Sequence, residues 1–360
     1  MKQLQGDKMA RRSFLGRVGQ VGLGVVGAGS VMTILEACGV TGSPGAPAAV
    51  AANVNVQLLW IKNTQFAGLY AAERQGFLKA ENLTQELLPG GPQVNAIQSV
   101  AGRAAPIGLI GSSHAVIQAR SNGIPVKAIA AQYQTGPFGL MSLASKPLRT
   151  IGDVVGKTVG LQAGARPTFA QILALNNINP EKITVVPVGI DQTPLVTGQV
   201  DGYWASATGQ PLDLKAKGIE TVMLLASDAG LPYYGNVVFT LDSVLAQQEE
   251  LLVRWMRATI RGGQYASQPE HIDELATYTV DQSPSLNLKL PVEKGQMAAQ
   301  VPFVTAALTK AKGLMWMDPK AFAEQIDVNL KSGQITNRVT VDDVVTTKIL
   351  EKAYGGKTSL

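Results

Sequence analysis

The chain has 360 residues, enough for two medium-sized domains that each bury a core. Hydrophobic residues make up 46% and charged residues 16%, with 38 glycines, a composition typical of a folded α/β protein and not of a disordered chain. Residues 1–37 hold five of the 31 basic and two of the 26 acidic residues, so the remainder carries only +2 without a Lys/Arg run, which argues against a nucleic-acid partner. One cysteine and two distant histidines argue against a metal site and a redox pair, and we expect no cofactor.

Residues 1–37 have the order of an export signal. Arg11 and Arg12 precede Ser-Phe-Leu, as in twin-arginine signals, and an apolar stretch rich in glycine follows over 18–35. The segment LEAC resembles a lipobox, with Cys38 as the acylated residue and Glu36 as an unusual member. We therefore predict an extracytoplasmic protein anchored by lipid at Cys38, because two acyl chains hold firmly to a membrane. An uncleaved anchor helix is the alternative.

Residues 38–54 are rich in Gly, Pro and Ala and predict a flexible tether. From residue 55 onward, short strands alternate with helices: strand VQLLW (56–60), a helix over 66–77, a helix beginning at the proline of PQVNAIQ, and a helix after Ser112 that ends at Gly123. Such alternation with short connections predicts parallel sheets with right-handed crossovers.

The same alternation restarts over 141–235, and the remaining segments are helical. The sequence therefore predicts an α/β protein of two lobes, 55–140 plus 236–355 and 141–235, with C-terminal helices. Two hinge strands are expected near 132–142 and 231–240. A cleft between lobes is where ligand sites usually form.

Four segments carry a family resemblance: WIKNTQFAGLYAAERQGFLKAENL, PGGPQVNAIQSVAGRAAPIGLIGSS, TIGDVVGKTVGL and GQVDGYWAS. Their order and spacing over about 55–270 resemble the periplasmic-binding-protein family that includes the thiamine-pyrimidine, riboflavin, nitrate, taurine and alkanesulfonate receptors of ABC importers. The resemblance implies a class II binding-protein fold with the ligand between two lobes. It also implies a monomeric receptor, not an enzyme, that delivers a small molecule to a permease and its ATPase.

Within that family, NTQFAG followed by PGG is similar to the branch that captures riboflavin or formylaminopyrimidine. Vitamin-type heterocycles are therefore the expected ligands, with nitrate, taurine or alkanesulfonate as the alternative. The branch also contains a pyrimidine-synthesising enzyme that relies on a cysteine-rich segment, which this sequence lacks. A sensor or adhesion lipoprotein on the same scaffold is a further alternative.

A flat, uncharged heterocycle needs an aromatic face for stacking and amides or hydroxyls for its ring edge. Trp60, Asn63 and Gln65 follow the first strand, where α/β sheets place ligands, while Tyr70 and Phe77 have the spacing of core residues. Of Tyr203 and Trp204, we expect one to face the ligand and the other the core. The full set of candidate ligand residues is Trp60, Asn63, Gln65, Phe66, Gly91, Ser112, Ser113, Tyr133, Phe138, Arg166, Tyr203, Trp204 and Tyr234.

Arg166 is the charged candidate. It follows a strand and precedes a helix, the geometry of an anion site. If Arg166 faces the cleft, a sulfonate, nitrate or carboxylate becomes the expected ligand. If it faces outward, the pocket is neutral and a vitamin-type ligand is favoured.

Overall fold

The computed structural model describes residues 50–360, which belong to one compact unit. The export signal, Cys38 and most of the predicted tether lie outside the described residues. The last three tether positions were predicted wrongly, because the first strand begins at Ala52 and not after residue 55. Val54 and Val56 are fully buried in this strand, so alternating apolar side chains extend the core into the predicted tether.

The first sheet has the strand order β2-β1-β3-β10-β4. Its strands are β1 (Ala52–Gln57), β2 (Leu83–Leu88), β3 (Ile107–Ile110), β4 (Val126–Tyr133) and β10 (Gly235–Leu241). Strand β1 pairs in parallel with β2 and β3, whereas β10 runs antiparallel to β3 and β4. The sheet is therefore mixed and not purely parallel as predicted, because β10 enters it from the opposite end.

The second sheet has the order β7-β6-β8-β5-β9 and is also mixed. Its strands are β5 (Phe138–Leu143), β6 (Thr158–Leu161), β7 (Thr184–Pro187), β8 (Gly202–Ser206) and β9 (Thr221–Leu225). Strand β5 is antiparallel to β8 and β9. The chain passes from the first sheet to the second between Tyr133 and Phe138 and returns between Leu225 and Gly235. The lobe boundaries predicted from the sequence were 140/141 and 235/236.

The helices that flank the strands differ in several places from the sequence prediction. The helices before β10 are α1 (Ala67–Arg74), α2 (Phe77–Ala80), α3 (Ala96–Ala101), α4 (Ser113–Ser121), α5 (Arg166–Leu175), α6 (Thr193–Val196) and α7 (Gln210–Lys215). The single helix predicted over 66–77 is interrupted at Gly76, which has φ 73°. The third helix begins at Ala96 behind the cap Asn95, so the predicted start at the proline of PQVNAIQ is wrong.

The C-terminal part is helical, as the sequence predicted. Its helices are α8 (Asp242–Gln247), α9 (Glu249–Ala266), α10 (Ile272–Gln282), α11 (Leu290–Val304), α12 (Ala307–Lys312), α13 (Pro319–Lys331), α14 (Val341–Val344) and α15 (Lys348–Tyr354). Helices α1 and α9 pack on one face of the first sheet around Trp255, which is fully buried. Helix α13 packs with α4 on another core of the same lobe. Helix α11 contacts both the 3-10 turn Thr64–Phe66, which precedes α1, and α7 of the second lobe.

Candidate functional site

Four amide side chains meet where the turn before α1, strands β4 and β10 and helix α11 come together. We call Gln65, Gln132, Asn236 and Gln300 the amide chain; Gln132 is half-buried and the other three are buried. The Gln65 Nε2 atom donates to Asn236 Oδ1 at 2.9 Å, and Asn236 Nδ2 donates to Gln132 Oε1 at 3.1 Å. The Gln132 Nε2 atom donates to the backbone oxygen of Gln65 and to Gln300 Oε1, both at 3.2 Å. The side-chain N–H of each amide thus donates to the carbonyl oxygen of the next, in the order Gln65, Asn236, Gln132 and Gln300.

Gln300 belongs to α11 and closes the amide chain. Its Oε1 also accepts from the Tyr133 hydroxyl at 2.7 Å, and its Nε2 donates to the backbone oxygen of Thr64 at 3.0 Å. Because a backbone carbonyl can only accept, Thr64 O and Gln65 O fix which way the Gln300 and Gln132 amides point. Burial raises the pKa of the Tyr133 phenol, so the hydroxyl remains a donor.

A carboxylate lies beside the amide chain. The Thr64 backbone N–H donates to Glu293 Oε2 at 2.9 Å, and the Thr64 hydroxyl lies 2.6 Å from Glu293 Oε2 and 3.0 Å from Gln296 Oε1. Burial, with the nearby Asp213 carboxylate, raises the pKa of Glu293, although its hydrogen bonds with Thr64 oppose the shift. Glu293 is therefore easier to protonate than an ordinary glutamate.

The second lobe reaches the same region. Thr208, in the loop after β8, lies near enough to the Tyr133 phenol to lower its pKa, which opposes the larger rise that burial causes. Gly209 approaches the Gln296 amide, and Leu212 of α7 approaches Gly295 of α11. The amide chain therefore lies where α11 passes from the first lobe to the second, and its hydrogen-bonding groups are neutral amides and hydroxyls with one carboxylate at the side.

An apolar cavity of about 70 Å³ adjoins the amide chain. Gln132 and Gln300 supply polar groups to its wall, while Phe66, Trp255 and Met297 are among its apolar residues. An apolar lining with a few directed polar groups is typical of ligand sites, but the volume is well below the roughly 300–1,000 Å³ of a small-molecule pocket. The remaining wall comes from α1, α9, α11 and neighbouring residues: Ala67, Gly68, Leu69, Leu109, Val238, Thr259, Gly263, Ala266, Ser267, Val301, Val304, Leu314 and Met315.

The structure brings two of the predicted ligand residues, Gln65 and Tyr133, into the hydrogen-bonded network. Asn63 uses its side-chain oxygen locally, as the cap that accepts from Gln65 N at 3.1 Å. Trp60 lies three residues beyond β1 and packs half-buried against the first-lobe core, without a hydrogen bond to the amide chain. Phe66 is buried in that core and also lines the cavity.

Other predicted residues belong to separate parts of the first lobe. Gly91 has φ 152° and no heavy atom within 4 Å of where a Cβ would lie. Ser112 caps α4 by accepting from His114 N, and the Ser113 hydroxyl lies 2.5 Å from Gln325 Oε1 and accepts from Tyr234 N. The Tyr234 ring stacks on Phe322 with centroids 5.7 Å apart. These groups join β10 to α4 and α13.

The predicted residues of the second lobe are dispersed. Tyr203 and Trp204 are both buried, in two different hydrophobic clusters, and the Tyr203 hydroxyl donates to Gly189 O at 2.6 Å. In this structure neither ring is exposed, so the expected division between one ligand-facing and one core-facing ring is not seen. Phe138 lies against Gly111 of the first lobe. Arg166, at the start of α5, is exposed and forms no ion pair with another described residue.

Sequence reasoning missed Thr64, Gln132, Glu293, Gln296 and Gln300 as members of the network. The spacing of Glu293, Gln296 and Gln300 places all three on one face of a helix. That spacing, in a segment whose other residues are small or apolar except for Lys294, was a usable signal. Asn236 was placed on the second hinge by sequence, and its φ of 45° is unusual for a residue other than glycine.

Two negative findings apply to residues 50–360. These residues contain no cluster of three or more His, Cys, Asp or Glu side chains arranged to hold a metal ion. Nor does any helix in this part of the chain have the length and apolar character needed to cross a bilayer.

A family model described as NMT1/THI5-like matches residues 63–272 of this chain. Three curated relatives are similar over much of their length. The riboflavin-binding protein RibY of Chloroflexus aurantiacus is 25% identical over 82% of this chain and 86% of its own. A 4-amino-5-hydroxymethyl-2-methylpyrimidine phosphate synthase of Legionella pneumophila is 26% identical over 71% and 81%, and the formylaminopyrimidine-binding protein of Halalkalibacterium halodurans is 25% identical over 66% and 72%.

Among solved structures, the ligand-binding component of an ABC-type import system from Staphylococcus aureus superimposes with a TM-score of 0.61. The match covers 84% of this chain and 99% of that one at 12% sequence identity. A likeness at this identity shows the fold alone, and the predicted two-lobed periplasmic-binding-protein fold is confirmed.

Proposed function

Because the chain belongs to the NMT1/THI5-like family, we propose that it is the substrate-binding protein of an ABC importer and captures a flat, uncharged heterocycle. The observation that carries this proposal is the amide chain with the Tyr133 hydroxyl. These groups are neutral and, apart from the half-buried Gln132, buried, and they include both donors and acceptors, as the edge of a heterocycle requires. The name of the relative RibY favours riboflavin, and those of the pyrimidine-linked relatives favour a thiamine pyrimidine precursor.

In the proposed mechanism a ligand that contacts both lobes favours a closed arrangement by its differential affinity, and a permease recognises that arrangement. We expect such a ligand to contact Thr208 and α7 of the second lobe, and Gln65 and Tyr133 of the first, because these groups lie around the amide chain. Lipid at Cys38 holds the receptor at the membrane surface. Mass spectrometry of the membrane-bound protein tests the anchor, because it should detect the added acyl chains. A Cys38→Ser variant lacks the acylation site and should not carry them.

The ligand is tested by thermal unfolding of the purified protein with riboflavin, an aminopyrimidine, taurine, an alkanesulfonate and nitrate. A ligand that binds only the folded state raises Tm, and we expect the rise with riboflavin or the aminopyrimidine. Tyr133→Phe should weaken that ligand about tenfold, because the variant lacks one hydrogen-bond donor. Tyr354→Phe is the matched control, since its hydroxyl donates to Leu314 O and not to the amide chain. Absence of a Tm rise with every compound contradicts the proposal.

A second candidate ligand class is an anion such as a sulfonate or nitrate. Arg166, at the N-terminal end of the ten-residue helix α5, is the charged candidate for binding an anion, but its exposed side chain is the arrangement for which the sequence analysis favours a vitamin-type ligand, so the anion stays the alternative. A Tm rise with only the anions, lost in Arg166→Gln, would select this class. A heterocycle response that survives Arg166→Gln selects the first.

A further inference from the structure

Helix α11 buries an unusual face. Its buried residues are Glu293, Gln296, Met297 and Gln300, so three of the four are polar, whereas helices normally turn an apolar stripe to the core. The residue Val301 on the same helix is 38% exposed. Buried hydrogen bonds to Thr64 therefore hold α11 against the first lobe, together with the packing of Met297 in a hydrophobic cluster.

The hydrogen bonds of Gln300 define a specific pattern. Two donors, Gln132 Nε2 and the Tyr133 hydroxyl, converge on its carbonyl oxygen, and its N–H reaches one acceptor, Thr64 O. The surrounding protein thus recognises an O=C–N–H edge: a carbonyl oxygen that accepts twice next to an N–H that donates once.

The same edge occurs in lactam and imide rings, such as the pyrimidinedione ring of a flavin. Aminopyrimidines offer an N=C–N–H edge, in which the ring nitrogen has a single lone pair and cannot accept from both donors. Building on the proposed function, we propose that the Gln300 carboxamide occupies the position of the ligand's O=C–N–H edge. Helix α11 is then an internal competitor that the ligand displaces, and the ligand class is a lactam- or imide-bearing heterocycle.

The packing behind α11 fits a helix that can be displaced. Met297, Val301 and Val304 of α11 line the cavity of about 70 Å³ opposite Phe66 and Trp255. A void on one side removes dispersion contacts that would otherwise hold these side chains. Displacement of α11 also separates Met297 from its hydrophobic cluster with Ala67 and Leu275, and the Phe303 ring from Tyr133, while the ligand replaces the hydrogen bonds that Gln300 gives up.

The experiment measures riboflavin binding by fluorescence titration of the full-length protein and of Gln300→Ala. Removal of the competing amide should tighten riboflavin binding about tenfold. Gln296→Ala is the matched control, because it shortens the same residue type on the same buried face but leaves the O=C–N–H pattern of Gln300 intact. Equal tightening in both variants would show that loosening of α11 alone is responsible, and would overturn the proposal. Circular dichroism melting of each variant verifies that it is folded.

A second ligand tests the edge itself. Riboflavin methylated at N3 lacks the N–H that would donate to Thr64 O, and we expect it to bind at least about tenfold more weakly than riboflavin to both proteins. Equal affinities would overturn the inference while receptor function stands. The inference also fails, with receptor function intact, if an aminopyrimidine binds and riboflavin does not. Binding of neither class would instead remove the proposed function.

Discussion

Helices α9 and α11 are the two longest helices of the described chain, and they bury opposite kinds of surface. Helix α9 buries Leu252, Trp255 and Ile260 against the first lobe, whereas α11 buries Glu293, Gln296 and Gln300. Apolar burial is non-directional and favours permanent packing, while buried hydrogen bonds can be exchanged for those of a ligand. We infer that α9 belongs to the scaffold and α11 to the binding function.

The largest expected effect tests the scaffold side of this comparison. A Cβ at Gly262 would lie 2.1 Å from Gly68 O and 2.7 Å from Ala72 N, so Gly262→Ala forces α9 and α1 apart. We expect a loss of about 3 kcal/mol in the free energy of unfolding, measured by urea denaturation. The neighbour Gly263 is the control, because its Cβ would meet only Leu314 Cδ1 at 3.9 Å. Gly263→Ala should be neutral or slightly stabilising, and equal losses at both positions would contradict the close approach of the helices.

A medium effect on the free energy of unfolding is expected where Thr64 forms hydrogen bonds with α11. Thr64→Val removes the hydroxyl that lies between Glu293 and Gln296, and leaves buried oxygen atoms with fewer partners. The expected cost is about 1–3 kcal/mol, with faster hydrogen exchange confined to α11. Thr279→Val is the control, because that buried hydroxyl donates only to Leu275 O of its own helix. If exchange accelerates equally in α9, the two helices do not differ as proposed.

The smallest expected effect is on pH dependence. Burial raises the pKa of Glu293 in the folded state, with Asp213 and Tyr70 among the titratable groups that face it. The folded state therefore binds more protons than the unfolded one between the ordinary and the raised pKa, and stability falls as pH rises through that window. Glu293→Gln keeps an oxygen for the Thr64 N–H but cannot ionise.

The Glu293→Gln variant should therefore be more stable than the natural protein at neutral pH by about 1 kcal/mol, and its stability should change less between acidic and neutral pH. Urea denaturation at a series of pH values measures both effects. A residual slope is expected from Asp213, whose pKa burial also raises. An unchanged slope would mean that Glu293 does not titrate in this window.

Much of the fold could be predicted from the sequence because its signals are local. The start of α4 after Ser112 and its end near Gly123 follow from capping chemistry, and the core position of Tyr70 follows from helical spacing, whereas Phe77 is only partly buried. The mixed character of the sheets could not be predicted in this way, because the direction in which β10 enters depends on where the chain returns from the second lobe.

The same distinction between local sequence signals and tertiary structure applies to the candidate site. By itself the sequence determined the family and the two-lobed architecture, because residue type and spacing carry them. Only the tertiary structure decided that Gln65, Asn236, Gln132 and Gln300 form one hydrogen-bonded chain, since these amides come from four elements far apart in sequence. A hydrogen bond depends on distance and direction in space, and an amide's position in the sequence specifies neither.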